Sequence, residues 1–250
     1  MARDWDATTY ERVSAPLAAM GREVLDRLVL RGDETVLDGG CGTGKVTRAL
    51  HERLPRGRVI AVDASPSMAG QARALLPPEV DVRCQDLTEL QLDEPVDAIL
   101  STATFHWIAD HDALFASLFA ALAPGGRLVA QCGGHGNVAA VKEAGFALAE
   151  QEPFAEHLGD WAGDWNFATP EETHVRLGNA GFVDVWCWPQ RVDLDPVDPA
   201  AYLGAICLGS FLERLPEHLH DAFVDGVLER LEDPLVLHYV RLNLLARRPF

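Results

Sequence analysis

The segment Val36-Leu37-Asp38-Gly39-Gly40-Cys41-Gly42-Thr43-Gly44-Lys45 sets a short apolar run, a carboxylate and a glycine loop directly before a helical pattern. That order serves nucleotide cofactors. A dinucleotide fingerprint needs G-x-G-x-x-G, but Gly40, Gly42 and Gly44 are spaced G-x-G-x-G, and Lys45 stands where the last glycine should be. A phosphate loop comes closer, because Gly39, Gly44 and Lys45 match G-x-x-x-x-G-K. Val46, however, occupies the place where Ser or Thr must meet magnesium, and Thr47 comes one residue late. Charge separates the readings more firmly than spacing. Asp38 at the strand tip would set its carboxylate against any phosphate cradled by the following amides, a costly repulsion. The same group suits a ligand with an ammonium group, and bare glycine backbone lets that ligand approach closely. The ligand at this end should be cationic or zwitterionic.

The elements that must position this loop follow from periodicity. Leu17, Met20, Val24, Leu25 and Leu28 keep a helical spacing, which predicts a helix from Ser14 to Leu30 before the Arg31-Gly32-Asp33 turn. Strands are predicted over Glu34 to Asp38, Arg58 to Val62, Val80 to Cys84, Val96 to Leu100 and Arg127 to Gln131, the last after a Pro124-Gly125-Gly126 turn. Helices are predicted between them over Lys45 to Leu54, Met68 to Leu75 and Ala113 to Leu122. Nearly continuous apolar strands alternating with helices predict a doubly wound α/β domain, its parallel sheet covered on both faces. Beyond Gly133 a helix is expected near Val138 to Glu150, followed by an aromatic stretch. Another helix should be capped by Thr169 with Pro170 at its first position. A strand over Phe182 to Trp188, a Pro-rich link carrying Pro189, Pro196 and Pro199, helical segments to Leu231 and an edge strand over Leu235 to Ala246 complete the reading. Residues 134 to 168 and 190 to 232 read as insertions that lid the sheet within a single domain. Residues 1 to 32 read as an N-terminal helical lid, and residues 33 to 133 as the cofactor-binding core.

With these landmarks in order, the chain resembles the class I S-adenosylmethionine-dependent methyltransferases. VLDGGCGTG is similar to their first motif, D-x-G-x-G-x-G, with Asp38, Gly40, Gly42 and Gly44 on the matching positions and Gly39 within the loop. The resemblance implies a mostly parallel seven-stranded Rossmann-like sheet with helical lid insertions. It also implies S-adenosyl-L-methionine as cofactor and S-adenosyl-L-homocysteine as product. Asp63, 19 residues past Gly44, falls where the family's acid binds both ribose hydroxyls, with Ala64 beside it and Met68 flanking the adenine. Asp86 falls where the adenine amino group is met, with Gln85 beside it and Leu87 offering a backbone donor. Ser101 falls at the end of the fourth strand. The N-terminal W-D-x-x-x-Y (Trp5, Asp6, Tyr10), the F-H-W at Phe105-His106-Trp107 and the closing YVRLNLLARRP resemble the trans-aconitate methyltransferase group, whose members esterify small carboxylic acids. That group usually carries Ser-Asn-Ala before its aromatic-His-Trp, where this chain has Ser101-Thr102-Ala103-Thr104. Malonyl-carrier-protein methyltransferases share much of the pattern.

A sulfonium methyl is already activated, so such a protein supplies position, desolvation and in-line orientation. A carboxylate acceptor is ionised at neutral pH and needs no base. A hydroxyl or amine acceptor would be helped by one, and His106, after the fourth strand, is the candidate. The same residue could instead bind substrate directly, or pack beside Trp107 and orient the loop through a backbone bond. Trp161, Trp165 and Phe167 either wall an acceptor pocket, the favoured expectation, or anchor the long insertion, and Trp107 is expected to contact substrate. Trp5 and Tyr10 either pack in the core or close over the cofactor. Arg176, Arg191, Arg214 and Arg241 are the cations that could face an acidic acceptor. His218 and His220 read as solvated surface residues, so no metal is expected. A module that binds the cofactor and methylates nothing is the reading from another class.

Composition bounds the partners. The 250 residues carry 21 Lys plus Arg against 38 Asp plus Glu, a formal charge of -17, and both halves are acidic. Nucleic acids and anionic membranes bind chiefly through basic groups, so a small molecule is the expected partner. The five cysteines are scattered with no Cys-x-x-Cys pair, as expected of reduced thiols in a cytoplasmic protein. The N-terminus lacks an apolar core segment, and no window approaches a membrane span. A monomer or homodimer is expected.

Overall fold

The computed structural model describes residues 15–250, so the expectations for Trp5, Asp6 and Tyr10 fall outside the described residues. In chain order the helices are α1 (Ala15–Asp26), α2 (Lys45–Glu52), α3 (Pro66–Leu75), α4 (His111–Ala121), α5 (Ala139–Ala149), α6 (Ala155–Leu158), α7 (Pro170–Asn179), α8 (Pro199–Tyr202), α9 (Gly209–Leu212) and α10 (His220–Leu228). The strands are β1 (Thr35–Gly39), β2 (Arg58–Asp63), β3 (Asp81–Cys84), β4 (Val96–Thr102), β5 (Leu122–Gly133), β6 (Val183–Leu194) and β7 (Leu237–Arg247). They form one seven-stranded sheet in the order β3-β2-β1-β4-β5-β7-β6. The first five are parallel, and β7 runs antiparallel to both β5 and β6.

Side chains alternate across this sheet as the pleat requires. Val36, Val59, Ala61, Ala98 and Leu100 pack with Val24, Leu50 and Ala72 of α1 to α3. Leu37, Ile60, Val62 and Ile99 face Leu114, Phe115 and Leu118 of α4, with Leu177 of α7. A third core, around Phe211, Phe223 and Leu203, joins α5, α6 and the helices after β6 to Leu237 and Tyr239 of β7. Strand order reverses between β1 and β4. In a doubly wound sheet the crevice at that reversal, beyond the carboxyl ends of the strands, is where a ligand fits.

Several boundaries differ from the sequence reading. Helix α1 stops at Asp26 because Arg27 and Leu28 close onto Val24 and Leu25 three residues back, a tightened last turn. Pro124-Gly125-Gly126 lies inside β5, where the register against β4 jumps between Val96 and Ala98 and Gly125 takes a φ of 77°. Strand β6 reaches Leu194, so Pro189 is a strand residue opposite Leu242 rather than part of a link. Its missing N–H is tolerated because β6 lies at the sheet edge. Strand β7, expected at the edge, is interior. Its loosely alternating pattern reflects two covered faces, with Leu242 and Leu244 in the α4 core and Leu237 and Tyr239 in the third core.

Candidate active site

The crevice at the strand reversal opens into a cavity of about 510 Å³. Its first wall is the glycine loop. Gly40, Gly42 and Gly44 take φ angles of 77°, 54° and 87°, a left-handed sequence that side chains resist. Gly40 also has no room for one, since a Cβ would lie 2.1 Å from the Thr104 hydroxyl, whereas a Cβ on Gly42 would meet nothing within 4 Å and project into open space. Asp63 braces the loop from the end of β2, accepting from the Gly42 amide at 2.8 Å and from the Ser65 amide at 2.9 Å.

Of the residues singled out from sequence, Gly40, Gly42, Asp63, Ala64, Met68, Asp86 and Leu87 line the cavity on the β1 to β3 side. Asp38, Gly39, Gly44, Gln85 and Ser101 lie outside its lining. Asp38 is buried, its Oδ2 accepting from the Thr47 hydroxyl at 2.6 Å, while its Oδ1 has no hydrogen-bond partner among the described residues. Burial pushes the Asp38 carboxyl up to about 6, against the Thr47 bond and with help from the Asp63 charge. Ser101 donates to the Gly39 carbonyl at 2.6 Å from behind. Gly44 starts α2, and Gln85 receives the Gln91 amide at 3.3 Å. These residues fit an S-adenosylmethionine: carboxylates end successive strands, open space lies over Gly42, and a buried carboxylate oxygen is orphaned beside the loop.

His106 and Trp107 line the cavity from the turn after β4. The turn leaves the strand through Ala103, which holds a φ of 58° and bonds through its amide to the Gln131 carbonyl at 2.7 Å. His106 is buried, stacked on Phe167 with ring centroids 5.5 Å apart and tilted against Trp107 at 5.0 Å. The Gly133 amide donates to its Nδ1 at 3.1 Å, so that nitrogen is an acceptor and the neutral ring carries its proton on Nε2. Burial, then the Arg241 and His111 charges, hold His106 well below the usual histidine range. Neutral, and with its lone pair spent on a backbone amide, the ring can donate a hydrogen bond but has no free site for a proton. His111 clamps the turn, bonding the Phe105 carbonyl through Nε2 at 2.9 Å.

The remaining wall comes from the segments after β5. Trp165 lines it with Phe167, while Trp161 sits behind, packed edge-on to Phe211 and under the Arg214 guanidinium at 4.3 Å. The cations are sorted just as clearly. Arg214 pairs with Asp164 at 3.2 Å, Arg176 reaches His111 at 3.3 Å, and Arg191 stands on the edge strand β6. Arg241 alone of the four lines the cavity, only 3% exposed. Lys142 of α5, which the sequence reading did not single out, joins it, with its ammonium 4.8 Å from the Phe167 ring centre and its pKa lowered by burial. The reading also gave no site role to Ile206 and Cys207, set on the wall by a π-helical turn over Leu203–Cys207, or to Tyr239 on β7. A helix face and a strand register place these, and neither leaves a local signal. Charge is thus mixed along one cavity: Asp63 and Asp86 line it beyond β2 and β3, Lys142 and Arg241 line it from α5 and β7, and Asp110 and Asp164 line it as well.

Residues 36–126 match the family described as "Methyltransferase domain". The chain is 30% identical over 250 residues to a trans-aconitate 2-methyltransferase of Variovorax paradoxus, covering 97% of this chain and 95% of that protein. It is 36% identical over 128 residues to a trans-aconitate 2-methyltransferase of Escherichia coli, a match covering 51% of this chain and only 50% of that relative. Among solved structures, the Haemonchus contortus phosphoethanolamine N-methyltransferase 2 in complex with phosphomonomethylethanolamine and S-adenosylhomocysteine superposes with a TM-score of 0.63. That likeness, at 19% identity over 98% of this chain and 57% of that one, is one of fold.

Proposed function

The chain belongs to the class I S-adenosylmethionine-dependent methyltransferases, and from that premise we propose that it esterifies a carboxylate of a small organic acid. The observation that carries this reading is Arg241, a buried guanidinium on the cavity wall of a chain whose formal charge is -17. A guanidinium meets a carboxylate through paired, charge-assisted bonds. The names of the curated relatives support an acid acceptor of the trans-aconitate kind.

The bound cofactor supplies a methyl group already activated on a sulfonium, and the protein's residues do the rest. Asp63 and Asp86 present carboxylates to the nucleoside side, and Gly42 keeps the floor open there. Arg241 anchors the acid, with Lys142 adding positive potential. The His106 Nε2–H donates to the acceptor and orients it. A carboxylate at neutral pH needs no proton removed, which agrees with a histidine that has no lone pair to offer. Trp107, Trp165 and Phe167 exclude water, so the nucleophile is bare when it is aligned.

Labelled S-adenosylmethionine should be incubated with a panel of acids, phenols and amines, trans-aconitate among the acids. Base-labile methyl esters are expected. Label found only on phenols or amines would refute the carboxylate reading, and silence throughout, with good cofactor affinity, would favour a non-catalytic binding module. Arg241→Met is expected to raise the acid KM by about 10- to 100-fold, the loss of one to two charged hydrogen bonds, and to leave the KM for the cofactor unchanged.

A further inference from the structure

Behind Arg241 lies a buried amide lattice that the reaction itself does not use. Strand register sets Gln131 of β5 opposite Asn243 of β7, and Gln190 of β6 opposite Arg241. Gln131 is 3% exposed and Asn243 fully buried. The Gln131 Nε2 donates to Asn243 Oδ1 at 2.7 Å, and its Oε1 accepts from Arg241 Nε at 3.3 Å. Arg27, at the end of α1, closes the lattice from the other side, donating to Asn243 Oδ1 and, at 3.2 Å, to Gln190 Oε1.

We propose that Gln131 is a positioning residue for the acceptor, fixing the plane of the Arg241 guanidinium toward the cavity. The proposal rests on the reading of Arg241 as the acceptor's anchor. The two ends of the Gln131 amide address different partners, so the group cannot turn over without leaving a buried donor and acceptor unmatched. Holding Nε fixes the guanidinium, because its fork is planar and rigid. An amide does this without adding negative charge where an acid must enter, which a glutamate at the same position would do. Because Asn243 is itself held by Arg27, the anchor is referenced to α1 as well as to the sheet.

The test uses the full chain with the acid methylated fastest in the labelled-methyl panel, and compares Gln131→Leu, Gln131→Glu and Arg241→Met. Gln131→Leu is expected to raise the acid KM about tenfold while the cofactor KM stays within twofold. Gln131→Glu keeps an oxygen for Arg241 Nε but loses the donor to Asn243 Oδ1, so a purely structural role would lower its melting temperature and leave the acid KM of the folded enzyme unchanged. Here it should raise the acid KM at least as much, because the new carboxylate competes for the guanidinium. Should Gln131→Leu fail to fold, Gln131→Glu and Gln131→Met carry the comparison. An acid KM unchanged in the Gln131 variants but raised in Arg241→Met overturns the positioning role alone. An acid KM unchanged in Arg241→Met overturns the anchor and the positioning role together.

Discussion

The acids at the strand tips differ in what they can be asked to do. Asp63 reaches the cavity and is already bonded to the loop, so Asp63→Ala should weaken S-adenosylmethionine binding by about 1 to 3 kcal/mol, measurable by calorimetry. Asp38 is buried behind the loop, and its carboxyl, raised to about 6 chiefly by burial, resists ionising in the folded chain. Its folded value lies above its unfolded one, so the ionised carboxylate burdens the empty fold above pH 6, and that burden is relieved as pH falls from 6 toward 4. A cation over the loop favours the ionised form. Cofactor affinity is therefore expected to decline as pH drops below about 6, and Asp38→Asn should flatten that dependence, both read from titrations between pH 5 and 8. The glycine loop and Asp63 were legible in the sequence because strand tip and turn are local. His106 was legible as a position but not as a role, since its tautomer is set by the Gly133 amide, 27 residues away.

Elements whose ends are written locally were read well, and those fixed by pairing were not. Thr169-Pro170-Glu171-Glu172 forms the full capping box at the start of α7, Thr169 accepting from the Glu172 amide at 3.2 Å and Glu172 from the Thr169 amide at 2.9 Å. Helix α7 buries Leu177 against the sheet's α4 side, so the cap supports the core as well as the helix. Thr169→Ala should cost about 1 kcal/mol in urea denaturation and leave cofactor affinity unchanged. Strand β7 defeated the sequence reading for the opposite reason. Its place between β5 and β6 depends on partners more than 40 residues away, among them Gln190 opposite Arg241 and Gln131 opposite Asn243. The same pairing decides which of four arginines reaches the cavity, and no spacing in the sequence encodes that choice.

At the scale of the whole molecule, one buried junction makes a pH-dependent contribution to stability. Glu34, at the entry to β1, accepts from the Arg31 and Gly32 amides at 2.9 Å and from Arg127 of β5 at 3.1 Å. Burial alone would raise its carboxyl, but these bonds outweigh burial and bring it down to about 2. Folded below its unfolded value, it contributes stability that is present in full above about pH 4.5 and lost as pH falls toward 2. The contribution is on the order of 3 kcal/mol, so Glu34→Gln should be less stable than the parent at neutral pH, with the gap closing in urea midpoints taken from pH 6 down to 2. The proposed reaction has an electrostatic consequence of its own. On the proposed reading, the cofactor arrives with its sulfonium charged and the acid with its carboxylate charged. Esterification would remove one positive charge from the cofactor and one negative charge from the acid, leaving a neutral thioether and one carboxylate fewer. The step that makes the product would thereby weaken the electrostatic attraction that brought the two substrates together.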